Sequence, residues 1–289
     1  LKAILSALAV LASLPVLGGY LGALHPLGDS LAVFRLQAAG LLAVMSAFAL
    51  MAGAVRWGRI GMLMGLLAGG VPVVWAYGTT PAPGGDLRLY QKNMLYRNDA
   101  LPDLAADIRA AAPDAVTLQE VSQANLALLN DLAPDFPHQL RCDEPGAGGG
   151  AVLTRLMPVP GGEFCAPGLA AMQVQGPKGP LWLVSIHLRW PWPHNQAAQV
   201  QALLPVLEEL QGPVVMAGDF NMVRWSWAFS ALTATARTKA AGPVFGSYTG
   251  FAPWLVLPID HVTAPGGGRV MARDGLGSDH LGLLADLAL

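Results

Sequence analysis

The chain has 289 residues, 53% hydrophobic and only 12% charged, with a net charge of −2. Leu1 to Gly85 carries just Lys2, Asp29, Arg35, Arg56 and Arg59, and the other 13 basic and 18 acidic residues follow. That acidic second part has no basic groove and is not built as a general nucleic-acid binder, and no long disordered tract or internal repeat is present.

Three apolar stretches open the chain: Ala3 to Leu24, Leu36 to Val55 and Ile60 to Tyr77. Each is close to the roughly 18 to 20 residues that cross a bilayer, and five charged side chains are too few to solvate a helical domain. They predict three transmembrane helices, a membrane anchor over residues 1–80. Pro15 and Pro72 are compatible with this, because neighbouring helices can satisfy the freed carbonyls. Lys2 and the Arg56/Arg59 loop face the cytoplasm by the positive-inside rule, so the third helix exits on the other side. Cleavage of the first stretch near Gly22 and Ala23 would leave that orientation unchanged. Arg35 dissents mildly, at an outer helix end where it can snorkel. With 13 Arg against 4 Lys the composition suggests a GC-rich bacterial genome. The expected location is therefore the bacterial inner membrane, with the following domain in the periplasm.

Residues 81–85, Pro-Ala-Pro-Gly-Gly, read as a linker to a second domain over 86–289. Strand-length runs are Leu87 to Tyr96, Ala115 to Gln119, His138 to Cys142, Ala151 to Arg155, Leu169 to Gln175 and Leu181 to Leu188. Val214 to Ala217, Val256 to Thr263, Arg269 to Arg273 and Leu281 to Leu289 complete them. Helices are predicted from a cap at Asp99 to Ala112 with Pro102 in the first turn, from a cap at Ser122 to Leu132, and over Asn195 to Leu210 and Ser226 to Thr235. Many strands and few helices imply two sheets packed face to face under outer helices. Cys142 and Cys165 are the only cysteines, and an oxidising compartment would allow them to pair.

Polar residues stand where these strands end: Asn93, Glu120, His187, Asp219 with Asn221, Asp260 with His261, and Asp279 with His280. Singly, each has a structural explanation, such as a turn for Gly218-Asp219-Phe220-Asn221 or an Asx turn for Ser278-Asp279-His280. Together with their order they mean more. Gln91-Lys92-Asn93, Leu118-Gln119-Glu120, Gly150-Ala151-Val152-Leu153-Thr154-Arg155, Ser185-Ile186-His187-Leu188, Gly218-Asp219-Phe220-Asn221, Ile259-Asp260-His261 and Ser278-Asp279-His280 resemble the endonuclease/exonuclease/phosphatase superfamily across 86–289.

The resemblance implies an α/β fold, a four-layer α/β/β/α sandwich with its site at one end of the sheets, and metal-dependent phosphoester hydrolysis. Such chemistry needs a cation on the non-bridging oxygens and an activated water. Glu120, assisted by Asn93 and Asp279, is expected to hold Mg²⁺ or Mn²⁺, since all three offer hard oxygen ligands. Asp219 would position or deprotonate the water and Asn221 would bind a phosphate oxygen. His280, oriented by Asp260, and His187 would contact the phosphate. Whether Asp219 or the Asp260/His280 pair is the base stays open. His138, His194 and His261 are left out of the site.

Two features bear on the substrate. The domain lacks a Lys/Arg cluster, although Arg189, Arg224 and Arg237 could line a local groove. Trp190, Trp192, Trp225, Trp227 and Trp254 all lie in loops near the site motifs, where indole rings can enter a headgroup layer or stack on bases. A lipid or small phosphodiester at the membrane is favoured over nucleic acid, the alternative being a membrane-tethered extracytoplasmic nuclease.

Overall fold

The computed structural model describes residues 1–77, 85–252 and 254–289. Four helices open it: α1 (Lys2–Gly18), α2 (Pro26–Val33), α3 (Arg35–Met51) and α4 (Val55–Tyr77). Among the described residues only α4 is by itself long and apolar enough to cross a membrane, over Val55–Val74, and α2 with α3 passes as a second span only if the pair, bent by 68°, is taken as one. This corrects the expectation of three spans, and glycines explain the difference. Gly18 and Gly19 end the first helix, and Gly53, at φ 79, ends the third within two residues of Met51. The last helix starts five residues earlier than expected, so Arg56 and Arg59 lie in its first turns.

Helices α1, α3 and α4 pack around Val16, Ala39, Leu42 and Ala68. Their outer faces leave large apolar side chains such as Leu14, Phe48, Leu63 and Val74 exposed. Arg35 does not snorkel. It is buried, lies over the Tyr20 ring at 4.0 Å and donates to the carbonyls of Gly19 and Trp225 at 3.2 and 3.4 Å.

The linker expected at 81–85 lies, Gly85 apart, outside the described residues. Beyond it the strands are β1 (Leu87–Asn93), β2 (Ala115–Val121), β3 (His138–Cys142), β4 (Gly149–Thr154), β5 (Pro158–Ala166), β6 (Leu169–Gly176) and β7 (Gly179–His187). They continue with β8 (Val214–Asp219), β9 (Lys239–Ala240), β10 (Tyr248–Ala252), β11 (Leu255–Leu257), β12 (Asp260–Ala264), β13 (Gly267–Arg273) and β14 (Gly282–Ala288). One six-stranded sheet has the order β13-β14-β1-β2-β4-β3 and the other β5-β6-β7-β8-β12-β9, while β10 and β11 form a separate hairpin.

Alternation along the strands builds the layers. Leu87 and Leu89 face the opposite sheet, where Val215 and Ala217 meet the same core, while Tyr90 and Met216 point to the outer faces. Those faces are covered by α5 (Leu101–Ala111) and α6 (Leu126–Leu132) on the first sheet, and by α7 (Gln196–Glu209) and α8 (Trp227–Thr235) on the second. The result is the expected α/β/β/α sandwich.

Two strands depart from expectation through proline. The run Val256 to Thr263 splits around Pro258 into β11 and β12, since proline cannot donate to a ladder. Strand β5, whose Pro158, Pro160, Gly161 and Gly162 read as turns, is a sheet edge where proline is tolerated. Helix α5 is preceded by Ala100 rather than capped by Asp99, and Asn98 Oδ1 accepts from the Ala100 N–H at 2.7 Å instead. Cys142 and Cys165 form a disulfide with Cα atoms 5.6 Å apart, joining β3 to β5, the outermost strands of the two sheets.

Candidate active site

Topology gathers the polar residues at one end of the sandwich. Strands β7 and β8 are parallel, with His187 paired to Asp219, and antiparallel β12 sets Asp260 on the other side of Asp219. In the facing sheet β1 and β2 are parallel and finish with Asn93 opposite Gln119. Glu120 follows at a bulge, where the register of β2 against β4 shifts between Leu118 and Val121 and the backbone turns to φ 59. That left-handed conformation is unusual for a residue with a side chain, and it carries the carboxylate out of the ladder into the cleft. Asn221, just past β8, has φ 47.

These residues surround one cleft of about 740 Å³ lined by Glu120, His187, Asp219, Asn221, Asp279 and His280. Asp260 Oδ2 lies 2.7 Å from His280 Nδ1, and His280 Nε2 lies 3.7 Å from Asp219 Oδ2. His187 Nε2 is also 3.7 Å from that oxygen. Asn93 Nδ2 donates to Asp219 Oδ2 at 3.1 Å and to Glu120 Oε1 at 3.2 Å. Asn221 is occupied differently from the phosphate contact expected of it. Its N–H donates to Asp219 Oδ1 at 2.8 Å, and its amide nitrogen donates to the Leu188 carbonyl at 2.7 Å and Asp219 Oδ2 at 3.3 Å.

The electrostatics divide the two imidazoles. Burial opposes a charge on His280, but Asp260 and Asp219 beside it outweigh burial and raise its pKa to about 9. Burial lowers that of His187. Burial pushes Asp219 up to about 7, with His280 opposing and Asp260 adding to the rise. Asp260 stays below the usual carboxylate range, since His280 and its hydrogen bonds overcome the cost of burial. At neutral pH the site therefore holds a charged His280 and a neutral His187 around a carboxylate poised to exchange a proton.

Beneath these groups lies a support that the sequence reading did not assign. Gln91 Nε2 donates to Asp260 Oδ1 at 3.0 Å and to Gln119 Oε1 at 2.9 Å, and Gln119 donates to Ser185 Oγ at 2.9 Å. Buried Lys92 donates to the carbonyls of His280 and Gly275 at 2.5 and 2.6 Å, holding the segment that carries Asp279 and His280. Tyr248, on the unpredicted β10, has its ring 4.8 Å from that of His280. The signal for Gln91 and Lys92 was polarity at consecutive strand positions, where one face at least should have been apolar.

Of the three arginines expected near the site, only Arg189 lines the cleft. Arg224 is buried and donates to the Ala241 carbonyl, and Arg237 is exposed just past α8. His261 is buried against Phe220 and Phe229, bonds the Met222 carbonyl at 2.8 Å, and is pulled down by burial to about 3, in keeping with its exclusion.

The donor set suits a hard divalent cation. Glu120 and Asp279 bring carboxylates to the cleft, whereas Asn93, expected as a third ligand, points its amide nitrogen at Glu120 and Asp219 and its oxygen accepts from the Leu95 N–H at 3.1 Å. Asp219, Asp260 and His280 also have ligand atoms within 4.8 Å of one another, but Asp260 and His280 are committed to each other and to Gln91. A cation would thus be held on the Glu120 side, within reach of Asp219.

Residues 84–280 match the model of the Endonuclease/Exonuclease/phosphatase family. No curated protein matches the chain. Solved structures with similar folds include the endonuclease/exonuclease/phosphatase from Bacteroides vulgatus, at 18% identity and TM-score 0.56, covering 70% of this chain and 98% of that one. A family protein from Leptotrichia buccalis C-1013-b aligns at 13% identity and TM-score 0.55, over 70% of this chain and all of that one (100%). Humanized D. rerio TDP2 aligns at 16% and 0.56, over 69% and 97%. Identities this low speak for the fold alone, and the first 80 or so residues are additional to it. The family model spans well over half of the chain, and the sandwich brings its motifs to one cleft; the chain belongs to the endonuclease/exonuclease/phosphatase family of phosphoester hydrolases.

Proposed function

We propose that this chain is a membrane-tethered, Mg²⁺- or Mn²⁺-dependent phosphodiesterase acting on a phospholipid headgroup or another phosphodiester at the bilayer surface. The observation that carries the reading is the setting of the cleft: its Trp190 is shared with an adjoining apolar groove where Trp192 and Phe251 are exposed, and its neighbour is a helix bundle with apolar outer faces. Exposed apolar surface on that scale marks contact with lipid or a partner. Arg189 is the one arginine among the described lining residues, and no lysine joins it, whereas nuclease grooves neutralise several phosphates. Residues 1–80 would form the anchor and 86–289 the catalytic domain. The disulfide supports an extracytoplasmic setting.

In this reading Glu120 and Asp279 would hold the cation, joined by Asn93 once its amide oxygen turns from the Leu95 N–H, and the cation would supply positive charge to the phosphate oxygens. Asp219 takes the proton of the attacking water, its carboxylate fixed by Asn93 and Asn221. His280, kept charged by Asp260, donates to a phosphate oxygen, and His187 donates a second hydrogen bond from the opposite wall. The test is a panel: purified chain with Mg²⁺ or Mn²⁺ against phosphatidylcholine and sphingomyelin vesicles, an inositol phosphate and plasmid DNA. Vesicle turnover that chelator abolishes, and that Glu120→Ala lowers at least about 100-fold, is expected. Full activity in excess chelator rejects the metal, and cleavage of DNA alone rejects the lipid in favour of a nuclease.

A further inference from the structure

Beside the phosphate cleft runs a second, apolar groove of about 280 Å³, walled on one side by Ser30, Val33 and Phe34 at the end of α2 and on the other by Trp190 to His194 and Phe251. Trp190 lines both this groove and the cleft, so the two adjoin at its ring. A row of rings marks the path. The centroid of Tyr248 is 4.8 Å from His280 and 5.5 Å from Trp190, Trp190 is 5.2 Å from Phe251, and Phe251 is 6.3 Å from Phe34, which directly precedes α3. The α2 wall is firmly placed: Ser30 Oγ donates to the Trp192 carbonyl at 2.7 Å, and Val33 is buried in the core of the catalytic domain.

We propose that this groove binds the apolar chain of the substrate, an alkyl or acyl tail esterified near the phosphate that His280 and His187 hold. The inference rests on the phosphodiesterase reading above and gives it a substrate class. A ligand fixed by its phosphate in the cleft can lay its organic substituent against Trp190, beyond which the described rings, Phe251 and Phe34, are apolar. The described lining of the groove holds no lysine or arginine, which disfavours a polynucleotide lying in it. Its far wall includes Phe34, the residue that enters α3, so the groove lies beside the helix bundle. Two of the five loop tryptophans are engaged elsewhere: Trp225 Nε1 donates to the Ala32 carbonyl at 2.9 Å, and Trp227 opens α8 and packs against the core of the catalytic domain.

The test uses the full chain in nanodiscs with 4-nitrophenyl n-alkyl phosphates from methyl to hexyl, soluble as monomers, and reads nitrophenolate release. Wild-type kcat/KM is expected to rise about threefold for each added methylene. Ser30→Trp, which fills the groove, should collapse the hexyl-to-methyl ratio, a quantity that cancels any general loss of activity. Phe34→Ser, which removes one wall, should lower the same ratio if Ser30→Trp does not fold. A flat wild-type series, or a steep one that both variants preserve, overturns the groove. A 4-nitrophenyl ester of thymidine 5′-phosphate that outpaces the hexyl ester and depends on the same residues overturns it in favour of a stacked base. Should no diester be hydrolysed, the catalytic reading fails separately, and the groove is judged by tryptophan fluorescence titration with hexyl phosphate against ethyl phosphate. Equal affinities then reject it, and a preference for hexyl of about tenfold or more, lost in Ser30→Trp, supports it.

Discussion

His280 is nearly out of contact with water, yet neighbouring carboxylates hold it charged, and that conflict defines what Asp260 does. Removing the Asp260 charge leaves burial acting against the imidazolium with Asp219 and Asp279 in support, so in Asp260→Asn the His280 pKa should fall from about 9, as followed by NMR titration of the ring. The same coupling predicts kinetics. Asp260→Ala and His280→Ala should each lower kcat/KM by about 100-fold or more, and the double change should cost scarcely more than either. Additive losses would show that Asp260 is a strand-end carboxylate without a part in the chemistry. The identities of these residues were legible in the sequence because each ends an apolar run, whereas their supports were not. Gln91 and Lys92 stand in the same run as Asn93, but only the packing of one sheet on the other shows that Gln91 reaches Asp260 and Lys92 the His280 carbonyl.

At the scale of elements, periodicity located most strands to within a few residues, and it failed where proline or glycine interrupts an edge. Strand β5 and the hairpin β10–β11 carry little apolar alternation, since each lies where one side of the ladder is open. The bulge at Glu120 was equally hidden, because Leu118-Gln119-Glu120 reads as an ordinary strand end and the turn to φ 59 depends on the pairing with β4. The edge strands have a further role through their disulfide. Cys142 and Cys165 line the cleft together with Asp143, Glu144 and Gly148, so the cross-link closes the sandwich where its two edges meet the cleft wall. Replacing both cysteines by serine should destabilise the fold by about 3 kcal/mol, the loop-closure value for a separation of 23 residues. Denaturant titration measures it, and an unchanged midpoint would mean that the sheets' own packing fixes their edges.

The whole molecule has two ends of different character. The chain passes down α1, back along α3 and down again in α4, so Lys2 shares an end of the bundle with the α3–α4 turn; the Lys2 side chain lies against Gly53, two residues before Val55 opens the helix that carries Arg56 and Arg59. At the opposite end α2 is docked on the catalytic domain. Asp29 accepts the N–H groups of Trp227 and Ala228 at 2.8 and 3.0 Å, placing a carboxylate on the first turn of α8, where the helix dipole favours it. In the sequence Asp29 is one stray charge in an apolar segment, and nothing local reveals a partner almost 200 residues away. The basic end and the catalytic end are therefore opposite ends of one bundle. If the bundle spans a bilayer as proposed, the positive-inside rule sets Lys2, Arg56 and Arg59 in the cytoplasm and the cleft outside. Fusions at the C-terminus read this directly: a phosphatase that matures only outside the cytoplasm should be active there, and a fluorescent protein that matures only inside should be dark. The reverse pattern would overturn the orientation and leave the Cys142–Cys165 disulfide in a reducing compartment, where such bonds are rarely kept.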